Sequence, residues 1–383
     1  MDLREKHIQA FVIAHENDDI TKLALGPMPA DWPRKAILDQ IKSRQKAKIK
    51  LPAWLNVQGL IFPSPSLLEQ CSSDATAHFK ASLFSGETFA DLTAGAGADT
   101  AAFAQNFKRG FAIERDHETS ETLANNLPLL SHTQIDVINK SAEDALDDLP
   151  PLDLVYIDPQ RRNESTRGLF KLEDTSPNVL ALLPKLKEKA RNILIKTSPV
   201  LDITQAISQL GHVAHIYVVS LGNECKELLF HITDTQEKPA IHAIILGHTP
   251  YKLTAKVVPP ANITQPQTYL YEPDAGIMKA GLFNELAAEF NIAKLHPHTH
   301  LFTADHKLEK FPGRSFVIQN IIPADKRELQ KNNIEKANLT LRNFPGTVDE
   351  LRKKLNLKDG GDDYIFACTL GDEQKVLICC RRC

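Results

Sequence analysis

Apolar positions recur at helical spacing over residues 2–17, where Ile8, Phe11 and Val12 fall near one face. Residues 34–50 also read as a helix, but a cationic one. Arg34, Lys35, Lys42, Arg44, Lys46, Lys48 and Lys50 are opposed there only by Asp39. Such a run is ordinarily a solvated helix face; a phosphate-contacting surface is the sharper alternative. Pro52, Pro63 and Pro65 then punctuate the chain, and helical signals resume after Ser66. A helical N-terminal domain over residues 1–75 is expected.

From about residue 88 the pattern changes to short apolar runs. TFADLTAGAGADTAAFAQNF reads as strand, glycine turn and helix. FAIERD is a second strand, followed by a helix over 117–127, and IDVIN is a third. LDLVYIDP is a fourth, with a polar insertion behind it, and NILIKTSP a fifth, with a helix around 202–210. Short apolar strands alternating with helices predict an α/β fold, a doubly wound and mostly parallel sheet covered on both faces. Strands at 214–220, 227–232 and 241–246 arrive without helices between them, which predicts an antiparallel edge. After Pro250, Pro259, Pro260 and Pro266 an α+β alternation begins. It runs through strand-like TYLYEP, a helix over 276–290, LFTAD, FPGRSFVIQNII, a helix over 325–336, ANLTLRNF, a helix over 347–355, YIFACTL and KVLICCR.

Length and composition narrow this further. The 383 residues are too many for one ordinary core, and 42% apolar with 24% charged residues excludes wholesale disorder. No 18-residue apolar run occurs, and the first residues carry charges where a signal peptide needs an apolar stretch. Six Cys outside any repeating framework fit a reducing compartment, so a cytoplasmic location without membrane partners is expected. The net charge of −3 is unevenly spread: +2 over residues 1–80, −9 over 81–180, zero over 181–309 and +4 over 310–383. A uniformly basic nucleic-acid binder is excluded; basic ends around an acidic middle are not.

The chemistry concentrates at Asp91-Leu-Thr-Ala-Gly95-Ala-Gly97-Ala-Asp99. Two glycines at a strand-to-helix turn let backbone approach a ligand where a side chain would clash. A phosphate-binding loop of nucleotide hydrolases is unlike this, since no Gly-Lys-Ser/Thr follows. An acid opens the motif at Asp91, and Asp99 stands where a dinucleotide fingerprint has a small residue packed on the sheet. Glu114 ends the second strand, a place from which a carboxylate accepts both hydroxyls of a ribose. The plainer alternatives are that Asp91 ties down the loop and that Glu114 is a solvent-facing acid.

These residues, with FAIERD downstream, resemble the class I S-adenosylmethionine-dependent methyltransferases over roughly residues 80–235. The resemblance implies a seven-stranded methyltransferase sheet with S-adenosyl-L-methionine as cofactor. It assigns Asp91, Gly95 and Gly97 to the methionine and ribose part, Glu114 to the ribose, and Ala142 and Glu143 to the adenine. Strand four ends in Tyr156-Ile-Asp158-Pro159-Gln-Arg161-Arg162. Many amino-methylating members have Asp-Pro-Pro-aromatic at this place, so the stacking aromatic is missing here. Asp158 is the catalytic candidate, to orient the acceptor or take its proton.

Pro159, Arg161, Arg162, Lys196, Ser198, Asn223 and Glu224 are candidate substrate contacts. With Arg167 and Lys171, the two arginines form a basic patch that would hold a phosphate or carboxylate; pairing with Glu164, Glu173 or Asp174 is the alternative. Cys225 reads as a buried thiol rather than a nucleophile. No metal is assigned: Cys379, Cys380 and Cys383 lack spaced ligand pairs, and His296, His298 and His300 lack carboxylates at ligand spacing.

The likeness extends over about residues 60–383 to a bacterial group of class I methyltransferases with a C-terminal THUMP-like domain. It rests on IDPQRR, GLFKLEDTSP, ILIKTSPVLDI, VSLGNECKELL, YLYEPDAGIMKAGL and the run from FPGRSF to YIFACTL. It implies a methyltransferase domain over 76–250, a ferredoxin-like module over 268–310 and a THUMP-like domain over 311–383. Because THUMP domains bind structured RNA, it implies tRNA or rRNA as substrate. Arg314, Arg342, Arg352, Lys353, Lys354 and Lys358 are available to follow a phosphate backbone. A small anionic metabolite as substrate, or a non-catalytic RNA-interaction protein that binds the cofactor, are the alternatives.

Overall fold

Helical spacing at the amino end produces α1 (Lys6–Ala14), shorter than the 2–17 reading. The chain turns after Ala14, and Asp19 starts a separate helix, α2 (Ile20–Leu25), by accepting the Thr21 and Lys22 amides. The cationic segment forms α3 (Arg34–Lys50). Its Ile37 and Ile41 pack with Ile8 and Val12, and its charges are largely committed inside the region. Arg44 is buried on Glu16 (2.8 Å), Lys46 meets Glu69 (2.5 Å), Lys48 meets Asn17, and Lys50 donates to the Cys71 carbonyl (2.8 Å). The computed structural model describes residues 3–161, 171–234 and 237–383. Its chain forms two units, Met1–Ile216 with Leu228–Pro239, and Tyr217–Glu227 with Ala240–Cys383.

The first unit holds the strands β1 (Gly86–Asp91), β2 (Phe107–Ile113), β3 (Gln134–Ile138), β4 (Leu152–Ile157) and β5 (Ala190–Thr197), with the outer parts of β6 (Val213–Leu221) and β7 (Glu224–Ile232), whose shared tip, Tyr217–Glu227, falls in the second unit. They order as β3-β2-β1-β4-β5-β7-β6. The first five run parallel and β7 is antiparallel to β5, which is the expected doubly wound sheet with its antiparallel edge. Parallel strands buried on both faces need continuous apolar runs. Accordingly Phe89, Ala90, Leu154, Val155, Ile193, Leu194 and Leu228–Phe230 are buried. Strand order reverses between β1 and β4, so the crevice at their carboxyl ends is the topological switch point where such sheets take ligands. The helices are α4 (Pro65–Gln70), α5 (Asp74–Ser82), α6 (Ala98–Phe103), α7 (His117–Leu130), the single-turn α8 (Ala142–Ala145), α9 (Val179–Lys189) and α10 (Ile203–Leu210).

In the second unit the tip of the β6–β7 hairpin is followed by β8 (Ala240–Leu246) and β9 (Tyr251–Thr254), ordered β9-β8-β6. A seven-stranded sheet comes next. It contains β10 (Tyr269–Pro273), β11 (Ala293–Lys294), β12 (Phe302–Ala304), β13 (Gly313–Pro323), β14 (Asn338–Arg342), β15 (Asp363–Thr369) and β16 (Lys375–Arg382), in the order β11-β12-β10-β13-β16-β15-β14. The helix expected over 276–290 is two, α11 (Ala275–Ala280) and α12 (Phe283–Phe290), because Gly281 at φ +72° ends the first. The others are α13 (Lys326–Lys331) and α14 (Val348–Leu355), the latter started by a reciprocal Thr347–Glu350 cap.

This second sheet is curled. In a flat sheet Arg342 on β14 would lie about 19 Å from Glu272 on β10, four strands away. Instead their side chains meet at 2.7 Å. Leu270, Phe316, Phe366, Cys368, Ile378 and Cys380 share one core inside the curl, and β13 has an irregularity between Ile318 and Asn320. Cys379 and Cys380 are buried strand residues, and no metal-ligand cluster occurs among the described residues. No described helix is long and apolar enough to cross a membrane.

Candidate active site

The glycine turn between β1 and α6 adopts conformations that require glycine: φ is +49° at Gly95 and +85° at Gly97. A Cβ on Gly97 would also stand 2.7 Å from the Leu123 side chain. The loop floors a cleft of about 360 Å3 at the carboxyl ends of β1, β2 and β4. Glu114, Ala142 and Glu143 line one end, and Asp158 with Gln160 lines the other. Leu67, Cys71 and Ser72, from α4 and the turn after it, contribute wall residues that the sequence reading missed.

Glu114 is held by two backbone amides: Oε2 accepts from Gly95 (3.0 Å) and Oε1 from Asp116 (2.8 Å). Each oxygen keeps a lone pair for a hydroxyl donor. Ser141 caps α8, which places Ala142 and Glu143 on the wall. This set fits a nucleoside with an amino-acid tail: a carboxylate for ribose hydroxyls, small apolar residues for a base, and a side-chain-free turn for the tail.

Asp91 occupies another place than the one expected of it. It is buried below the loop, where Oδ1 accepts the Thr93 amide (3.0 Å) and Oδ2 the Thr100 hydroxyl (2.7 Å). It is not among the residues that line the cleft, and its two hydrogen bonds tie the turn from beneath. Burial pushes its pKa up to about 7, against the lowering by Thr100 and Thr93. Asp99 is buried too, but neutralised. Lys80, fully buried on α5, lies 3.2 Å from Oδ1, while Ser72 and Tyr156 each donate to Oδ2 at 2.8 Å. Burial alone would raise the Asp99 pKa. Lys80, then Lys196 and the two hydroxyls, outweigh burial and hold it below the usual carboxylate value. Lys80 lies 19 residues before Asp99, on the far side of β1, and was missed from sequence. The available signal was an acid at a position that ought to pack on the sheet.

At the other end of the cleft, the Thr93 hydroxyl accepts the Asp158 amide (2.7 Å), which fixes the turn after β4. Lys196, a candidate substrate contact, meets the Asp158 carboxylate at 2.5 Å. The reason is local: β4 and β5 are neighbours, so their carboxyl ends bring the two charges together. Pro159 is buried behind Asp158, and Ser198 lies in the turn after β5, accepting the Val200 amide. Arg161 pairs by its backbone with Thr175 in a short antiparallel ladder; Arg162 and Arg167 lie outside the described residues.

Asn223 and Glu224 stand at the β6–β7 turn in the second unit. There the Asn223 side chain accepts the Ala275 amide and Glu224 pairs with Lys226. Burial pushes the Cys225 thiol up to about 11, which suits an unreactive thiol. Of the C-terminal basic residues, Arg314 and Arg342 are tied to Glu272, and Arg352 to Asp359 (2.8 Å).

Comparison with known proteins adds three matches to family profiles. Residues 75–190 match conserved hypothetical protein 95, residues 269–312 a ferredoxin-like domain, and residues 313–382 a THUMP domain-like family. Two relatives from Mycobacterium tuberculosis, strains CDC 1551 / Oshkosh and ATCC 25618 / H37Rv, are described as uncharacterized S-adenosylmethionine-dependent methyltransferases. Each is 21% identical over 299 residues, covering 76% of this chain and 80% of the relative. The crystal structure of a presumed methyltransferase from Porphyromonas gingivalis W83 aligns with a TM-score of 0.84 at 30% identity. That alignment covers 98% of this chain and 97% of the other.

Proposed function

This chain belongs to the S-adenosylmethionine-dependent methyltransferases that carry C-terminal ferredoxin-like and THUMP-like domains, and on that premise we propose that it methylates RNA, a tRNA or an rRNA. S-adenosylmethionine is its cofactor, and when bound supplies an electrophilic methyl group on a sulfonium. The observation that carries the RNA reading is the match of residues 313–382 to a THUMP-like domain.

In this reading Gly95 and Gly97 present backbone to the methionine and ribose part, with Asp91 acting from beneath. Glu114 accepts the ribose hydroxyls, and Ala142 and Glu143 face the adenine. Asp158 orients the acceptor and takes the proton released as the new bond to carbon forms. Lys196, paired with that carboxylate, fixes where it points. Arg161 and Arg162 are assigned to a substrate phosphate, while Pro159 and Ser198 complete the substrate side.

The test is to supply cofactor labelled in its methyl group separately with total RNA, protein extract and a metabolite fraction. Label is expected in RNA. Asp158→Ala is expected to slow transfer about 100-fold while calorimetric cofactor affinity stays within about threefold. Label in the metabolite fraction would move the substrate to a small anion. Undiminished transfer by Asp158→Ala would remove Asp158 from the acceptor site.

A further inference from the structure

Where the curled sheet of the second unit is tied, cations outnumber buried carboxylates. Arg314 (Nε, 2.6 Å) and Arg342 (Nη2, 2.7 Å) share the single carboxylate of Glu272. Glu272 is 2% exposed, whereas the two arginine side chains are 28% and 32% exposed. Beside Arg342, the Asn343 amide donates to Nδ1 of His296 (3.1 Å), which also accepts the His298 backbone amide (3.0 Å). Those bonds leave the His296 proton on Nε2, facing Glu373 at 3.1 Å.

Lys294 adds a third cation. It is 5% exposed, donates to the Pro297 carbonyl (2.6 Å), and lies 3.3 Å from His300 Nδ1. No ion pair joins it to a carboxylate among the described residues. An ammonium can only donate, so His300 Nδ1 accepts and the ring proton sits on Nε2. His300 is stacked on Phe283 (3.7 Å, 13°) and held at φ +55°. Burial first, then the charges of Lys294, His298, Arg342 and His296, pushes its pKa down to about 4, so at neutral pH the ring is an uncharged donor.

We propose that Arg314, Arg342, His298 and His300 form a binding site for a phosphate group of the RNA substrate, a source that rests on the RNA reading above. The arginine N–H groups not used by Glu272, the His300 Nε2–H and the exposed His298 ring supply donors. The surplus positive charge supplies the attraction. Such contacts place an RNA without reading its sequence.

Two measurements on the full chain test this. The first is salt-dependent binding of bulk tRNA. His298→Glu keeps the backbone bond to His296, and is expected to weaken binding at least about fivefold and flatten the salt slope by about 1. His300→Asn tests the donor with a residue that tolerates positive φ. Lys353→Glu, at an exposed position of α14, is expected to weaken binding less than about twofold. Equal effects of His298→Glu and Lys353→Glu, or none from either histidine variant, would overturn the site. The second is ring-nitrogen magnetic resonance of His298 and His300 during titration with inorganic phosphate at fixed ionic strength. Saturable shifts at both rings are expected; unmoved rings overturn the site whatever RNA does. Shifts in a protein that neither binds nor methylates RNA would uphold the phosphate site and overturn the RNA reading.

Discussion

Asp99 in the first unit and Glu272 in the second are both buried carboxylates that hold separate elements together, but their charge balance differs. Asp99 meets one fully buried ammonium and two hydroxyls. Glu272 meets two guanidinium groups that keep part of their surface in water. The first arrangement is closed and neutral and stiffens the floor beside the glycine turn. The second leaves positive charge over. Asp91 is a third case, buried with hydroxyl and amide donors and, among the described residues, without an ion-paired cation, and it responds by a raised pKa.

Breaking the neutral pair should cost the most. Lys80→Met leaves Asp99 buried without its cation, and should lower the unfolding free energy by about 3–5 kcal/mol in urea titrations. A loss under about 1 kcal/mol would mean that the two hydroxyls suffice. Glu272→Gln should cost less, about 1–2 kcal/mol, because both arginines retain water once the carboxylate is gone. An equal loss in the two variants would erase the distinction.

The third case is read from pH. A carboxyl whose folded pKa is raised binds its proton more tightly in the folded state. Its stabilising contribution is therefore full below about pH 4 and is lost as pH rises through about 7. Between those limits wild type should lose stability relative to Asp91→Asn, by about 1.4 kcal/mol per pH unit at most. Urea midpoints of the two proteins at pH 4.5, 6 and 7.5 measure it, and parallel curves would put the Asp91 pKa at its ordinary value.

The parts of this protein that were legible in sequence are those set by local pattern. The parallel strands follow from apolar runs, and α3 runs from Arg34 to Lys50 as its spacing predicts. The cleft position follows from Gly95 and Gly97 at a strand end. Pairing of charges was not legible. The α3 lysines count toward a basic amino end, yet Lys46, Lys48 and Lys50 meet Glu69, Asn17 and the Cys71 carbonyl. Arg314 and Arg342, available on paper to a phosphate backbone, are joined by a carboxylate 42 and 70 residues away. A segment's net charge sums what side chains carry, whereas function depends on what each one is bonded to. The curl that joins Glu272 to Arg342 depends on the ordering of strands remote in sequence, which local spacing does not encode.

The β6–β7 hairpin bears on how the protein can be cut. Its tip, Tyr217–Glu227, belongs with the second unit although the chain on either side belongs with the first. A fragment starting at Ala240 would retain every residue matched to the ferredoxin-like and THUMP-like families, yet β8 would lose its β6 neighbour. The freed strand edge would present unpaired amides and carbonyls to any other chain. The C-terminal half is therefore a poor candidate for excision at a linker: clean separation would require grafting the hairpin tip back on, and simple truncation should yield a self-associating fragment.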